Sequence, residues 1–185
     1  MHLEPQLLTL GNEKDEEDAE VIFRVFQALL PFRLTHVSFV NRTAREAVQK
    51  IWQEPRLPKS GKKRLKRPLD FPWSPEARDL YFSGDTANKL VLEHMIPISA
   101  LTERLFSELE NNSCESGDVL EFLKQNHSGF VFAIITKDED KRIANSGFKK
   151  KSSDLSNVWL RYKEALGLDS SDFTSVTNDP RFKES

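Results

Sequence analysis

Phe130 to Thr136 reads FVFAIIT, a run in which all residues but the last are apolar and nearly all are β-branched or aromatic. A strand with one wet face alternates apolar and polar residues, whereas a continuous run bounded by a glycine, here Gly129, implies a strand buried on both faces. The next residues, Thr136-Lys137-Asp138-Glu139, fit a capping box. Thr136 accepts from a backbone amide of the first turn and Glu139 reaches back to the amide of Thr136. The strand therefore passes straight into a helix that carries Asp140 on its first turn, then Lys141, Arg142 and Ile143, and that Asn145 to Gly147 can end.

A second short strand lies forty residues upstream in Lys89 to Ala100, KLVLEHMIPISA. Leu90, Val91 and Leu92 supply its buried part, Pro97 stops further ladder pairing, and Ser99 offers an N-cap for a helix through Leu101, Leu105, Phe106 and Leu109. Its last residues are Glu93 and His94. Neighbouring strand residues face opposite ways, so the two can work together only where the strand bends or ends.

The remaining elements read as helices. Asp18 to Leu30 places Val21, Ile22, Val25, Phe26, Leu29 and Leu30 at three-four spacing and ends at Pro31. Asn41 or Thr43 is the expected cap of a helix through Ala44, Ala47, Val48, Ile51 and Trp52, preceded by a turn or packing histidine, His36. Ser74-Pro75-Glu76 opens another helix, with serine as cap and proline at the first helical position, and Gly117-Asp118 starts a shorter one. A helix over 154–166 is expected to bury Leu155, Val158, Trp159, Tyr162 and Leu166 and to expose Arg161 and Lys163. The flanks 1–17 and 172–185 are expected to be flexible.

Residues 55–72 stand apart, with four prolines and seven cations in the twelve residues from Arg56 to Arg67: Arg56, Lys59, Lys62, Lys63, Arg64, Lys66 and Arg67. Glu13 to Glu20 forms an opposing acidic block. The net charge of −2 thus hides a strong local field, suited either to a solvated linker or to phosphate contacts that release counterions. Lys149, Lys150 and Lys151 repeat the theme on a smaller scale.

Taken in order, a strand ending in Glu93-His94 followed by apolar residues and proline, then an apolar strand running into a helix, resembles the ββα-metal core of the His-Asn-His (HNH) endonuclease superfamily over about residues 89–146. The resemblance implies an α+β, mainly helical single domain over 1–185, in which a small antiparallel hairpin and its following helix are surrounded by additional helices. It further implies a metal-dependent nuclease. Glu93 and Asp140, with Glu139 as the alternative, would bind Mg²⁺ or Mn²⁺. His94 would activate water, and Asn126 or His127 would orient it. Lys141, Arg142, the lysines 149–151 and the 56–67 cluster would hold nucleic acid, DNA rather than RNA. Hard oxygen ligands suit those cations, and a histidine of ordinary pKa about 6.5 suits proton transfer near neutrality. The expected setting is a hydrolase acting on phosphodiester bonds, in one reading the nuclease subunit of an anti-phage defence or restriction system with a protein partner. The other reading is a non-catalytic nucleic-acid- or protein-binding module whose HNH site has decayed.

Composition narrows the setting. With 38% apolar and 30% charged residues, no stretch approaches the roughly 20 apolar residues of a membrane span, and no membrane partner is expected. Cys114 is the sole cysteine, so no intrachain disulfide or cysteine zinc site can form, and with an acidic N-terminus unlike a secretory leader this points to the cytoplasm. Ser113, Glu115 and Ser116 around Cys114 provide no base, which makes it a loop residue and not a nucleophile.

Overall fold

The computed structural model describes residues 14–57, 59–60, 63–64, 68–86, 88–111, 114–148 and 154–183. Helix α1, Asp15–Leu29, places four acids in its first turn, where they favour the helix dipole. It buries Ala19, Ile22, Phe26 and Leu29, and Leu30–Phe32 tightens into a 3-10 turn at Pro31. Helix α2, Val37–Ala47, begins at Val37 and has no side-chain cap. Asn41 and Thr43 therefore lie inside it rather than capping it. The chain then continues as a π-helix, Val48–Gln53, and a last α-turn, α3, Glu54–Arg56.

Lys59–Ser60 (β1) and Lys63–Arg64 (β2) pair as a minimal antiparallel ladder. Helix α4, Pro75–Phe82, starts as its sequence demands, with the Ser74 hydroxyl accepting from the Ala77 amide at 3.2 Å. Strand β3 is Leu90–His94. Helix α5, Ile98–Asn111, starts one residue before Ser99, so Ser99 lies within its first turn, and Pro97 O accepts from the Ala100 and Leu101 amides. In α6, Ser116–Gln125, Glu115 and Asp118 close a capping box. A 3-10 turn, His127–Phe130, takes up the start of the apolar run, leaving β4 as Phe132–Thr136 with all five residues buried. Helix α7, Lys137–Asn145, follows with no intervening loop, and α8, Leu160–Leu166, ends at Gly167 in the left-handed region that favours glycine.

Strands β3 and β4 pair antiparallel, with Leu90 opposite Thr136, Glu93 opposite Ala133 and His94 opposite Phe132. The ladder fades instead of stopping: Met95 N still donates to Val131 O and Ile96 N to Gly129 O before Pro97, which has no amide to give. On one face of β4, Ala133 and Ile135 join the main core, which runs through Ile22, Phe26, Trp52, Phe106, Leu123 and Ile143. On the other, Phe132 and Ile134 pack with Phe71, Trp73 and Val176. The two-sided burial read from FVFAIIT therefore has a physical cause in two separate apolar layers. The fold is α+β and mainly helical with a two-stranded antiparallel hairpin. Among the described residues no helix is long and apolar enough to cross a membrane.

The C-terminal segment departs from its expected looseness. Thr174 exchanges backbone hydrogen bonds with Trp73, Val176 N donates to Leu69 O, and Phe173 and Val176 are buried. Asp179 is buried between Arg78 and Arg181, and the hydrogen bond from Arg181 holds its carboxyl far below the usual range. Residues 154–159 likewise form turns before α8 in place of the expected longer helix.

Gly129 is set where Ile96 passes closest to β4. A Cβ built on it would lie 2.6 Å from Ile96 Cδ1, and Ile96 is itself buried. Gly129→Ala should therefore destabilise the protein by about 1–3 kcal/mol. Gly117→Ala, with open space around the added carbon on exposed α6, should be neutral or stabilising by up to about 1 kcal/mol. Urea unfolding of both variants checks this, and equal midpoints would contradict the crowding at Gly129.

Candidate functional site at the end of the hairpin

Residues Glu93 and His94 take opposite faces of β3, as consecutive strand residues must. The Glu93 carboxylate receives the guanidinium of Arg161 from α8, Nη2 to Oε1 at 2.6 Å, while Nη1 of the same arginine donates to His94 O at 3.1 Å. Arg161 is only 2% exposed and is the reverse of the solvent-facing cation expected from helical spacing. The reason is the late start of α8, which turns Arg161 toward the strand.

Tyr162, the next residue, is fully buried with a hydroxyl that has no hydrogen-bond partner among the described residues. Burial pushes its pKa up. Arg161 opposes that shift, and Glu93, Glu139 and Asp140 reinforce it. This hydroxyl thus sits in the field of three carboxylates and one guanidinium. Asp140 is partly buried on the first turn of α7 and, like Glu93, acts electrostatically on Tyr162.

Glu139, the alternative ligand, is a structural clasp. Its Oε2 accepts from the Thr136 amide and from the Ser74 hydroxyl, both at 2.7 Å, tying the starts of α7 and α4 together. The carboxyl is wholly buried, and burial raises its pKa.

His94 lies on the far face, its ring 4.5 Å from that of Phe132. Its hydrogen-bond partners come from the π-helix. Gln53 Oε1 stands 3.1 Å from His94 Nε2, and the Gln49 side-chain amide is 3.4 Å from the same nitrogen. The orienting groups expected from sequence sit elsewhere: Asn126 closes α6 by donating to Phe122 O, and buried His127 meets the Trp52 ring edge-on at 6.5 Å. Burial, aided by the neighbouring Arg161 charge, pulls the His94 pKa down to about 4. The ring is neutral at pH 7.

A depressed histidine pKa makes stability depend on acidity in a defined window. Above pH 6.5 the ring is neutral in both states. Between about 6.5 and 4 the unfolded chain binds a proton that the folded chain refuses, and below 4 both are protonated. The protein should therefore lose up to about 3 kcal/mol more than a His94→Gln variant on acidification through that window. Parallel stability curves for the two proteins would refute the shift.

The cations proposed for phosphate contact divide sharply. Arg56 is 3% exposed. It binds Asp15 Oδ1 at 2.5 Å and Asp18 Oδ2 at 2.9 Å and lies over the Trp52 ring, so it belongs to the core and not to a binding loop. Lys141 and Arg142 are exposed and engaged with Asp138 and Glu76, surface pairs weak enough to exchange for a ligand. Lys62, Lys66, Arg67 and Lys149–Lys151 lie outside the described residues, as do the side chains of Lys59, Lys63 and Arg64.

Among the described residues no three of His, Cys, Asp or Glu stand close enough to hold a metal ion between them. A groove of about 1120 Å³ runs between α2, α5 and α6 and includes none of Glu93, His94 and Asp140. No protein-family model, curated protein or solved structure matches the chain.

Proposed function

We propose that the protein is a divergent nuclease of the ββα-metal type, hydrolysing phosphodiester bonds of DNA from the Glu93-His94 end of the hairpin. The observation that carries this reading is the register of β3 on β4, with Glu93-His94 where the ladder fades and a capped helix bearing Asp140 directly after β4. It is supported by an imidazole that is neutral at working pH and anchored through one nitrogen.

The residues present fit a hard divalent cation in charge and donor type. Three carboxylates against one guanidinium leave the surroundings of the Tyr162 hydroxyl negative, and that buried hydroxyl has hydrogen-bonding capacity to spare. Mg²⁺ keeps much of its water and needs only one or two carboxylates from the protein, which Glu93 and Asp140 would provide. When bound, such a cation neutralises charge on the scissile phosphate and on the departing oxygen.

The chain's own contribution is the following. His94 takes the proton from the attacking water at the ring nitrogen that Gln53 leaves free, which requires the scissile phosphate to reach across the strand end, because Glu93 lies on the opposite face of β3. Arg161 fixes the Glu93 carboxylate by one oxygen and holds the strand end through His94 O. Exposed Lys141 and Arg142, once released from Asp138 and Glu76, draw the phosphate backbone toward α7.

Purified protein incubated with plasmid and Mg²⁺ or Mn²⁺ should nick or linearise it, and His94→Ala should abolish the cleavage. Equal cutting by both proteins overturns the assignment of His94. One observation favours a second reading. The Glu93 carboxylate already has a buried counter-ion in Arg161, as expected where a catalytic site has become a binding module. Absence of divalent cation uptake by calorimetry, with DNA present, would select that reading.

A further inference from the structure

The orientation of His94 is set from outside the hairpin and helix that carry the proposed chemistry. Gln53 is 1% exposed and contributed by the π-helix, and its side-chain amide spans two groups. Its Nε2 donates to Phe130 O at 2.5 Å, and its Oε1 lies 3.1 Å from His94 Nε2. The first bond fixes which end of the amide faces the histidine, because a carbonyl can only accept. An amide oxygen can likewise only accept, so the hydrogen at His94 Nε2 must be the donor. The lone pair of the neutral ring is therefore on Nδ1. Gln49, four residues earlier, is placed with its amide nitrogen 3.4 Å from the same Nε2. A protonated Nε2 has no lone pair to accept that N–H, so the Nε2–H tautomer requires the Gln49 amide to be turned over, with its oxygen toward the ring.

The backbone that does this is uncommon. π-helical turns close with i→i+5 bonds, are rare, and occur frequently at functional sites. Here six residues adopt that form, Val48 and Trp52 stay buried in the main core, and the two glutamines point at one ring nitrogen. Phe130 O, the other anchor, belongs to the 3-10 turn that leads into β4, so the same amide sets the distance between the π-helix and the hairpin.

We propose that Gln53 is the positioning residue of His94, holding the imidazole as the Nε2–H tautomer so that Nδ1 is the proton-accepting atom. The role in catalysis rests on the nuclease reading; the tautomer does not. Among the described residues, Gln53 and Gln49 are the side chains placed within hydrogen-bonding distance of the ring.

The test uses the intact protein labelled with ¹⁵N-histidine, its four imidazoles assigned by single substitutions, at pH 7 and without added metal. In the wild type the His94 ring should show one tautomer, protonated at Nε2. Gln53→Leu should convert it to a mixture, while Gln49→Leu should leave Nε2–H dominant. A wild-type ring protonated at Nδ1, or a Gln53→Leu ring with an unchanged spectrum, overturns the proposal, and the wild-type spectrum decides even if the variant does not fold. Where plasmid cleavage is present, Gln53→Leu should lower kcat about 10- to 100-fold with little change in KM. Unaltered kcat would overturn the positioning role. An Nε2–H ring in a protein that cuts no DNA would instead leave the positioning intact and reject the nuclease reading.

Discussion

Replacing Arg56 by alanine is expected to cost about 3–5 kcal/mol of folding stability, a large fraction of what a domain of this size has. Arg56 closes the segment Val37–Arg56 and reaches back 41 residues to Asp15 and 38 to Asp18 on the first turn of α1. Its Nη1 also donates to Trp52 O at 2.7 Å, and the guanidinium plane covers the Trp52 indole with 3.8 Å between Cζ and the ring centroid. Truncation removes that apolar cover and leaves Asp15, 3% exposed, without its buried cation. The second loss dominates, because stranding a buried charge costs more than the pair contributed. Arg56→Lys should recover only part of the loss, since an ammonium cannot fork to two carboxylates while lying flat on an indole. Urea unfolding followed by tryptophan fluorescence measures both, and a loss below about 1 kcal/mol for Arg56→Ala would show that the pair is not structural. Plasmid binding by the folded Arg56→Lys protein should be unchanged, which separates this arginine from its basic neighbours.

The contrast between Arg56 and the exposed cations shows where sequence reading stops. The signals that succeeded are local. Thr136 and Glu139 form a capping box because both partners lie within four residues, Ser74-Pro75 starts a helix for the same reason, and the continuous apolar content of β4 states its own burial. The pairing of β3 with β4 was also within reach, since few other apolar strands were available to it. Those that failed depend on partners far along the chain. Nothing within ten residues of Arg161 indicates that Glu93, 68 residues away, will neutralise it, so helical spacing assigned it to solvent. The contact of Gln53 with His94 was invisible because a π-helix has no sequence signature and glutamine is unremarkable on a helix. The C-terminal segment misled through its polarity: two buried anchors, Phe173 and Val176, and a backbone bridge to Trp73 hold it without any helical or strand periodicity.

The second large effect is expected at Arg161, where stability and the proposed chemistry meet. Arg161→Ala should cost about 3–5 kcal/mol, because Glu93, with its side chain 16% exposed, would keep a charge that the strand end cannot solvate well. The loss also frees His94 O, and removing a positive charge from beside the ring lets the His94 pKa rise from about 4 toward its ordinary value. Replacing both partners, Glu93→Met with Arg161→Met, should be less damaging than Arg161→Ala alone, since apolar groups of similar volume substitute for a buried ion pair at little net cost. That ordering, read from urea unfolding of the single and double variants, tests whether the pair is a buried electrostatic unit, and a double variant weaker than Arg161→Ala would refute it. The same variants divide the two functional readings. If Glu93 is reserved for a cation, Arg161→Met should bind Mn²⁺ at least as tightly as the wild type, because the competing guanidinium is gone, and Glu93→Met should bind none. If the pair is only structural, neither protein nor wild type should take up the ion. The position of a single guanidinium beside one carboxylate thus carries the choice between a nuclease and a binding module.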